Sequence, residues 1–249
     1  MASIPSKPLI AFYGATGGCC LAAVTNALNE GYDCTALART PSKLTNLLIS
    51  KGVSQSAIDS HLTISQGDVL NVEDVKGPLT LKSRSAEVII SGIGIVNGGD
   101  SFHKIKLCGN AASNVITALK ELKLTKKPVM VVISSTGLTL TGPRDVPLLF
   151  KLIYQYMLAN PHADKRRMEA AITSEYNSSN SAIKGYVLVR PSLLTNGKAY
   201  GKDYIRVGTD AAPAVGYTIS RNDVGLWMFE NLIKGDNSKY LGQAPTITY

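Results

Sequence analysis

The sequence predicts an α/β protein: one parallel, doubly wound sheet with helices on both faces and a small C-terminal region that covers a substrate. Three observations carry this. Apolar runs of strand length, without polar alternation, recur at 9–13, 34–38, 86–91, 128–133 and 186–189. Such runs suit strands buried on both faces, and helical patterns separate them, as parallel crossovers require. The first run also enters a glycine cluster from which a helical pattern leaves. No Gly-, Ser- or Pro-rich linker divides the 249 residues and no internal repeat occurs, so one domain over 1–249 is expected.

In order, Leu9 to Tyr13 forms the first strand, and the helix after the turn carries Leu21, Val24 and Leu28 at helical spacing before Gly31 ends it. Cys34 to Ala38 is the second strand. Pro41 then suits the first turn of the next helix, where its missing N–H costs nothing. Ile58 to Gln66 contains a third strand, Ala86 to Ser91 a fourth and Pro128 to Ile133 a fifth. A helix is expected around Cys108 to Leu122, and further helical segments over 147–159 and 162–176. Tyr186 to Val189 is the sixth strand, and Asn222 to Ile233 the final helix. The stretch 195–220, rich in Gly, Tyr and Lys, is the candidate substrate cover, with Tyr200, Tyr204 and Tyr217.

The glycine turn holds the clearest chemistry. In Gly14-Ala15-Thr16-Gly17-Gly18-Cys19-Cys20, Gly14 lets the chain turn sharply and Gly17 removes a side chain where backbone must approach a pyrophosphate. The helix from Gly18 then offers unpaired N–H groups and its positive dipole end.

Composition narrows the alternatives. The net charge is +8, but the basic residues are scattered at helix ends, as in Lys120, Lys123, Lys126 and Lys127. No aromatic residues alternate with them as a base-stacking platform requires, so no nucleic-acid partner is expected. No apolar stretch reaches membrane-span length. Met1 to Lys7 lacks the apolar core of a signal peptide and the arginines of a transit peptide, and Thr246 to Tyr249 carries no address signal. A cytosolic monomer or homodimer without a membrane partner is expected. The four cysteines, at 19, 20, 34 and 108, show no metal or disulfide spacing and read as buried thiols. His61, His103 and His162 have no metal-ligand spacing either.

Five motifs in order carry a resemblance. Gly14-Ala15-Thr16-Gly17, Ala38-Arg39-Thr40-Pro41-Ser42-Lys43, Gly67-Asp68-Val69, Arg190-Pro191 with Leu194-Thr195-Asn196-Gly197, and Ile219-Ser220-Arg221-Asn222-Asp223-Val224-Gly225 resemble the atypical short-chain dehydrogenase/reductases. The similarity is greatest to the NmrA-like and biliverdin-IXβ (flavin) reductase-like group and covers nearly the whole chain. It implies a Rossmann-type fold and an NAD(P) cofactor. One departure is Cys20, where the family pattern has a third glycine for close helix–strand packing, so the helix is expected to sit slightly farther out.

The cofactor site implied by the resemblance comprises Gly14, Thr16, Gly17, Gly18, Cys19, Cys20, Arg39, Lys43, Asp68, Val69, Gly92, Ile93, Gly94, Ser134, Lys165 and Pro191. Arg39 follows the second strand where an acidic residue would favour NAD; a guanidinium instead pairs with a 2′-phosphate, so NADP(H) is expected. Asp68 and Val69 match the adenine-binding pair, although Asp68 could also cap the helix near Asn71.

None of the eleven tyrosines has lysine four positions on. Lys165 stands at the family's lysine position, which puts Pro161 where the acid tyrosine would be. Lys165 either holds the nicotinamide ribose or makes a surface pair with Glu169. Ser135 and Thr136 are candidates to polarise the substrate, and His162 to donate a proton. Asp164 reads as support for a helix N-terminus. The expected activity is NADPH-dependent reduction of a small carbonyl, enone, imine or flavin-like substrate. A redox-sensing regulator without turnover, or a repurposed isomerase or cyclase of secondary metabolism, stays open.

Overall fold

The computed structural model describes residues 7–94, 106–139, 142–150 and 158–249. The main sheet is built from β1 (Ile10–Tyr13), β2 (Cys34–Ala38), β3 (Leu62–Gln66), β6 (Val88–Ser91), β7 (Val129–Ile133), β8 (Gly185–Pro191), β10 (Arg206–Gly208) and β12 (Thr246–Thr248). Two small pairs lie outside it: β4 (Thr80–Leu81) with β5 (Arg84–Ser85), and β9 (Leu193–Thr195) with β11 (Thr218–Ser220). Strand order is β10-β12-β8-β7-β6-β1-β2-β3, parallel throughout except for β10, which runs antiparallel to β12 at the edge. From β1 the chain first builds outward through β2 and β3, then crosses back to lay β6 on the other side of β1. A crevice opens where that order reverses, and the reversal falls between β1 and β6.

Helices are α1 (Gly18–Asn29), α2 (Pro41–Ser50), α3 (Gln55–His61), α4 (Val72–Lys76), α5 (Leu107–Leu122), α6 (Ala159–Tyr176) and α7 (Arg221–Met228). A π-turn, Phe229–Ile233, continues α7 to the expected end of the final helix. Strand residues alternate between two cores. Ile10, Phe12, Val131 and Ile133 pack with α1 and α7, whereas Ala11, Tyr13, Met130 and Val132 pack with α5 and α6. The strands therefore lack polar alternation because both faces are covered.

The expected strands agree within a residue or two, and the third fills the C-terminal part of the stretch expected to contain it. Ile58 belongs to α3, whose start is set by the Ser54 side chain accepting from the Ala57 N–H at 3.1 Å. β12 escaped the pattern reading because Thr246-Ile247-Thr248 is a run of only three residues. Of the helix expected over 147–159, residues 151–157 lie outside the described residues, as does His103. A 3-10 turn covers Leu148–Phe150.

Cys20 does not simply push α1 away from the sheet. Its sulfur occupies the space left by Gly92, where an added Cβ would lie 2.5 Å from it. The bulk added where the family's third glycine is missing is accommodated by another glycine across the interface. A similar close approach joins α1 to α7: a Cβ on Gly225 would meet the Ala22 Cβ at 2.4 Å and the Cys19 carbonyl oxygen at 2.6 Å. Gly225→Ala should therefore lower stability, because overpacking costs about 1–3 kcal/mol while alanine gains about 1 kcal/mol in helix propensity. Thermal unfolding checks this, and the double variant Ala22→Gly/Gly225→Ala should not recover the loss, because the Cys19 carbonyl oxygen still stands 2.6 Å from the added Cβ.

Candidate active site

The site begins where β1 ends. Gly14 has φ +78°, and a Cβ there would stand 3.0 Å from the Gly92 carbonyl carbon and oxygen. Both the left-handed backbone and the close approach exclude a side chain. The Gly17 N–H donates to the Gly14 carbonyl at 2.8 Å, closing the turn, and Gly17 then serves as the extended N-cap of α1. No side chain caps α1 and no acidic residue lies in its first turn. Among the described residues its first N–H groups thus have no side-chain acceptor and no acidic residue in the first turn, which suits a phosphate.

Around this cradle the implied cofactor residues fall in a consistent arrangement. Thr16 is exposed at the turn, and Arg39 and Lys43 are exposed at the end of β2 and in the first turn of α2. Arg39 is followed by Pro41 at the start of α2, as expected. Asp68 is exposed and Val69 buried after β3. Asp68 is not the cap of α4. Asn71 is, its side chain accepting from the Glu73 N–H, while Asp68 accepts from the Leu70 N–H at 2.9 Å in a tight local turn. Asp74 holds this loop by accepting from the Asp68 N–H at 2.8 Å, and its side chain fills the space beside Gly67. Gly94, by contrast, has open space where its Cβ would be.

The reacting centre is organised by α6. Lys165 does not pair with Glu169. Its ammonium donates to the Ile133 carbonyl at 2.5 Å and the Ile93 carbonyl at 3.2 Å, bridging the carboxyl ends of β7 and β6. Glu169 instead receives the Ser134 hydroxyl at 2.5 Å and a two-point grip from Arg190, at 3.0 and 2.6 Å. Removing Arg190 would strand the buried Glu169 carboxylate, typically about 3–5 kcal/mol, whereas Arg190 keeps a second carboxylate in Asp210 at 3.3 Å.

Asp164 supports a helix N-terminus, but α5's rather than its own. It is 1% exposed and its two oxygens accept from the Cys108 and Gly109 N–H groups at 2.7 and 3.0 Å. The carboxylate thereby caps α5 and pins α6 one residue before Lys165. Gly109 lets the helices approach, since a Cβ there would lie 3.1 Å from that of Arg167.

The three hydroxyls after β7 separate by environment. Ser134 is buried on Glu169, and Thr136 is buried with its hydroxyl on the Pro191 carbonyl at 3.3 Å. The Thr136 hydroxyl, expected beside Ser135 as a polarising group, is thus buried and engaged with the end of β8. Pro191 likewise acts through its carbonyl, which also accepts from the Thr136 N–H at 3.1 Å. Ser135 alone of the three keeps partial exposure, with its hydroxyl donating to the Thr136 carbonyl at 2.9 Å.

His162 departs most from expectation. It is 5% exposed, and burial, helped by the Arg166 charge, pulls its pKa from 6.5 down to about 4. It is neutral at pH 7 and holds no ready proton. The cysteines are all free and buried. Burial pushes the Cys19 thiol up to about 12, against the opposing charges of Arg221 and Lys165, so it stays protonated. Among the described residues, no group of three or more His, Cys, Asp or Glu could hold a metal. Nor is any helix there long and apolar enough to cross a membrane.

The sequence reading assigned no role to Glu169, Arg190, Asp223 or Arg221. Asp223 is 1% exposed and accepts from the Tyr200 and Gly201 N–H groups and the Tyr249 hydroxyl, tying the candidate cover to the start of α7. Beyond the carboxyl ends of β8 and β12 lies a cleft of about 490 Å³, lined by Leu148, Arg144, Arg206, Tyr217 and Tyr249. Arg190-Pro191 and the stretch from Ser220 were visible as motifs, but their partners sit on distant segments.

A glycine cradle at the switch point, with an open helix N-terminus above it and a lysine across the neighbouring strand ends, defines a dinucleotide-binding Rossmann protein. Residues 14–234 match the NAD(P)H-binding family, and the chain belongs to it as an NAD(P)H-binding oxidoreductase of the atypical short-chain dehydrogenase/reductase type. It is 45% identical to reductase pytE of Aspergillus terreus over 261 residues, covering 98% of this chain and 99% of that protein. It is 36% identical over 280 residues to oxidase pynE of Aspergillus niger, with the same coverage of each. A short-chain dehydrogenase/reductase of Veillonella parvula, solved in complex with NADP, shares the fold at a TM-score of 0.69 and 16% identity, covering 98% of this chain and 95% of that one.

The shifted histidine has a consequence for stability. The unfolded chain takes up a proton near pH 6.5 that the folded protein refuses until about pH 4. Stability from this group is complete above pH 6.5 and drains as pH falls toward 4, by up to about 3 kcal/mol. Urea unfolding at pH 7 and pH 4.5 should show this loss in the natural protein and a shallower one in His162→Gln.

Proposed function

We propose that the protein is an NADPH-dependent reductase of a small organic substrate with a carbonyl, enone, imine or flavin-like acceptor. The observation that carries this is the Lys165 ammonium bridging the carboxyl ends of β6 and β7, beside the partly exposed Ser135. Preference for NADPH rests on Arg39 and Lys43, cationic and exposed past the end of β2, where no acidic residue stands to accept from a ribose hydroxyl.

When bound, the cofactor supplies the hydride. The chain's residues orient and polarise. Gly14, Gly17 and the first turn of α1 receive the pyrophosphate, and Asp68 with Val69 the adenine. Lys165 holds the nicotinamide ribose while staying anchored to Ile93 and Ile133. The Ser135 hydroxyl exchanges its bond to the Thr136 carbonyl for one to the substrate acceptor, stabilising charge that develops there. With proline at 161 and His162 neutral, neither position delivers a proton, which comes from water. The cleft at Arg144, Tyr217 and Tyr249 receives the rest of the substrate.

Fluorescence titration should show tighter binding of NADPH than NADH, and Arg39→Ala should remove that preference. Equal affinities in the natural protein would refute the 2′-phosphate reading. Loss of NADPH absorbance with quinone, flavin and enone acceptors tests turnover. Tight NADPH binding with no oxidation by any of them would instead make the protein a dinucleotide-binding regulator. For an accepted substrate, Ser135→Ala should lower kcat by about 10²-fold while NADPH affinity stays near that of the natural protein.

A further inference from the structure

We propose that Arg221 clamps the cofactor pyrophosphate and couples its arrival to the segment 194–201. This rests on the dinucleotide site described above, but not on the preference for NADPH over NADH.

Arg221 is the first residue of α7, and the close approach at Gly225 lays that helix against α1. The stem of Arg221 crosses Gly18 so closely that a Cβ there would lie 2.5 Å from the arginine Cδ. Gly18 is thus bare for the sake of an arginine as well as a phosphate. The guanidinium sits beside the first turn of α1, near enough for its charge to act on Cys19.

Its partners point the same way. Nη1 donates to the Asn196 side-chain oxygen at 2.9 Å and the Leu194 carbonyl at 3.3 Å. Both acceptors are neutral, and among the described residues no carboxylate pairs with Arg221. Its hydrogen bonds to the described residues all run from Nη1, and none of those residues engages the edge formed by Nε and Nη2. That edge is the one that grips a phosphate at two points. An uncompensated cation held by a single nitrogen beside an open helix N-terminus is placed for an anion.

The same nitrogen grips Leu194 and Asn196, which begin the segment whose far end, Tyr200 and Gly201, is held by Asp223 two residues after Arg221. Pyrophosphate on the free edge fixes the guanidinium, and the fixed guanidinium fixes the segment. The cover over the candidate substrate cleft is thereby ordered by the cofactor before substrate enters.

The test combines nucleotide titration with amide hydrogen exchange. Pyrophosphate is common to both nucleotides, so Arg221→Met should weaken NADPH and NADH alike, by about tenfold or more. Arg39→Ala, by contrast, should weaken only NADPH. In the natural protein NADPH should slow exchange at 196–201, and Arg221→Met should abolish that slowing. Asn196→Ala should keep NADPH affinity within about twofold, since it leaves the clamp edge intact, yet lose part of the slowing. Should Arg221→Met unfold, Arg221→Lys keeps the stem on Gly18 and should still bind both nucleotides more weakly. Unchanged affinity in a folded Arg221 variant, or unchanged exchange on adding NADPH to the natural protein, would overturn the proposal. Failure of the natural protein to bind either nucleotide would instead sink the cofactor reading beneath it.

Discussion

The site depends on the contact between two backbones at the switch point of the sheet. Gly14 and Gly92 approach until a single Cβ would reach 3.0 Å from the opposing carbonyl. Everything nearby is arranged around that approach. The turn at Gly14 aims α1, α1 presents its N–H groups to the crevice, and Gly92 accepts the sulfur of Cys20 on its other side. Two steric demands at one crossing are met by leaving out two side chains, that of Gly14 for the Gly92 carbonyl and that of Gly92 for the Cys20 sulfur.

The second organising feature is the placement of buried charge on α6. Asp164 caps α5, Lys165 spans two strand ends, and Glu169 receives Arg190 and Ser134. Each charged group has its own partners, so the lysine is not paired with Asp164 beside it or with Glu169 one turn on. Desolvated charges are tolerated only when hydrogen-bonded in this way, and the bonds make α6 rigid where the chemistry needs a fixed ammonium. The imidazole of His162 is kept neutral by burial, helped by the neighbouring Arg166 charge.

Much of the fold was legible because it is local. Continuous apolar runs mark strands covered on both faces, and Pro41 marks a helix start. The cofactor turn was legible for the same reason, since a strand, its glycines and the following helix are contiguous. What was missed is non-local. Asp164 caps a helix that begins more than fifty residues earlier, Arg190 on a strand finds Glu169 on the helix packed against it, and Arg221 lies over Gly18 from the far end of the chain. Thr136 was grouped with Ser135 because adjacent residues look alike in sequence; their opposite orientations appear only when Pro191 is brought alongside.

The sequence by itself determined the parallel sheet, the dinucleotide turn and the basic end of the second strand. Each follows from residue type and short spacing, through sterics and helix dipoles. The tertiary structure alone decided which hydroxyl stays accessible, which histidine loses its proton and which arginine stands at the mouth of the crevice. Those outcomes depend on burial and on partners far away in the chain. The opening glycine turn is the point where the two meet: its place between strand and helix is local, but the Gly92 backbone against Gly14 and the Arg221 stem across Gly18 come from elsewhere in the chain.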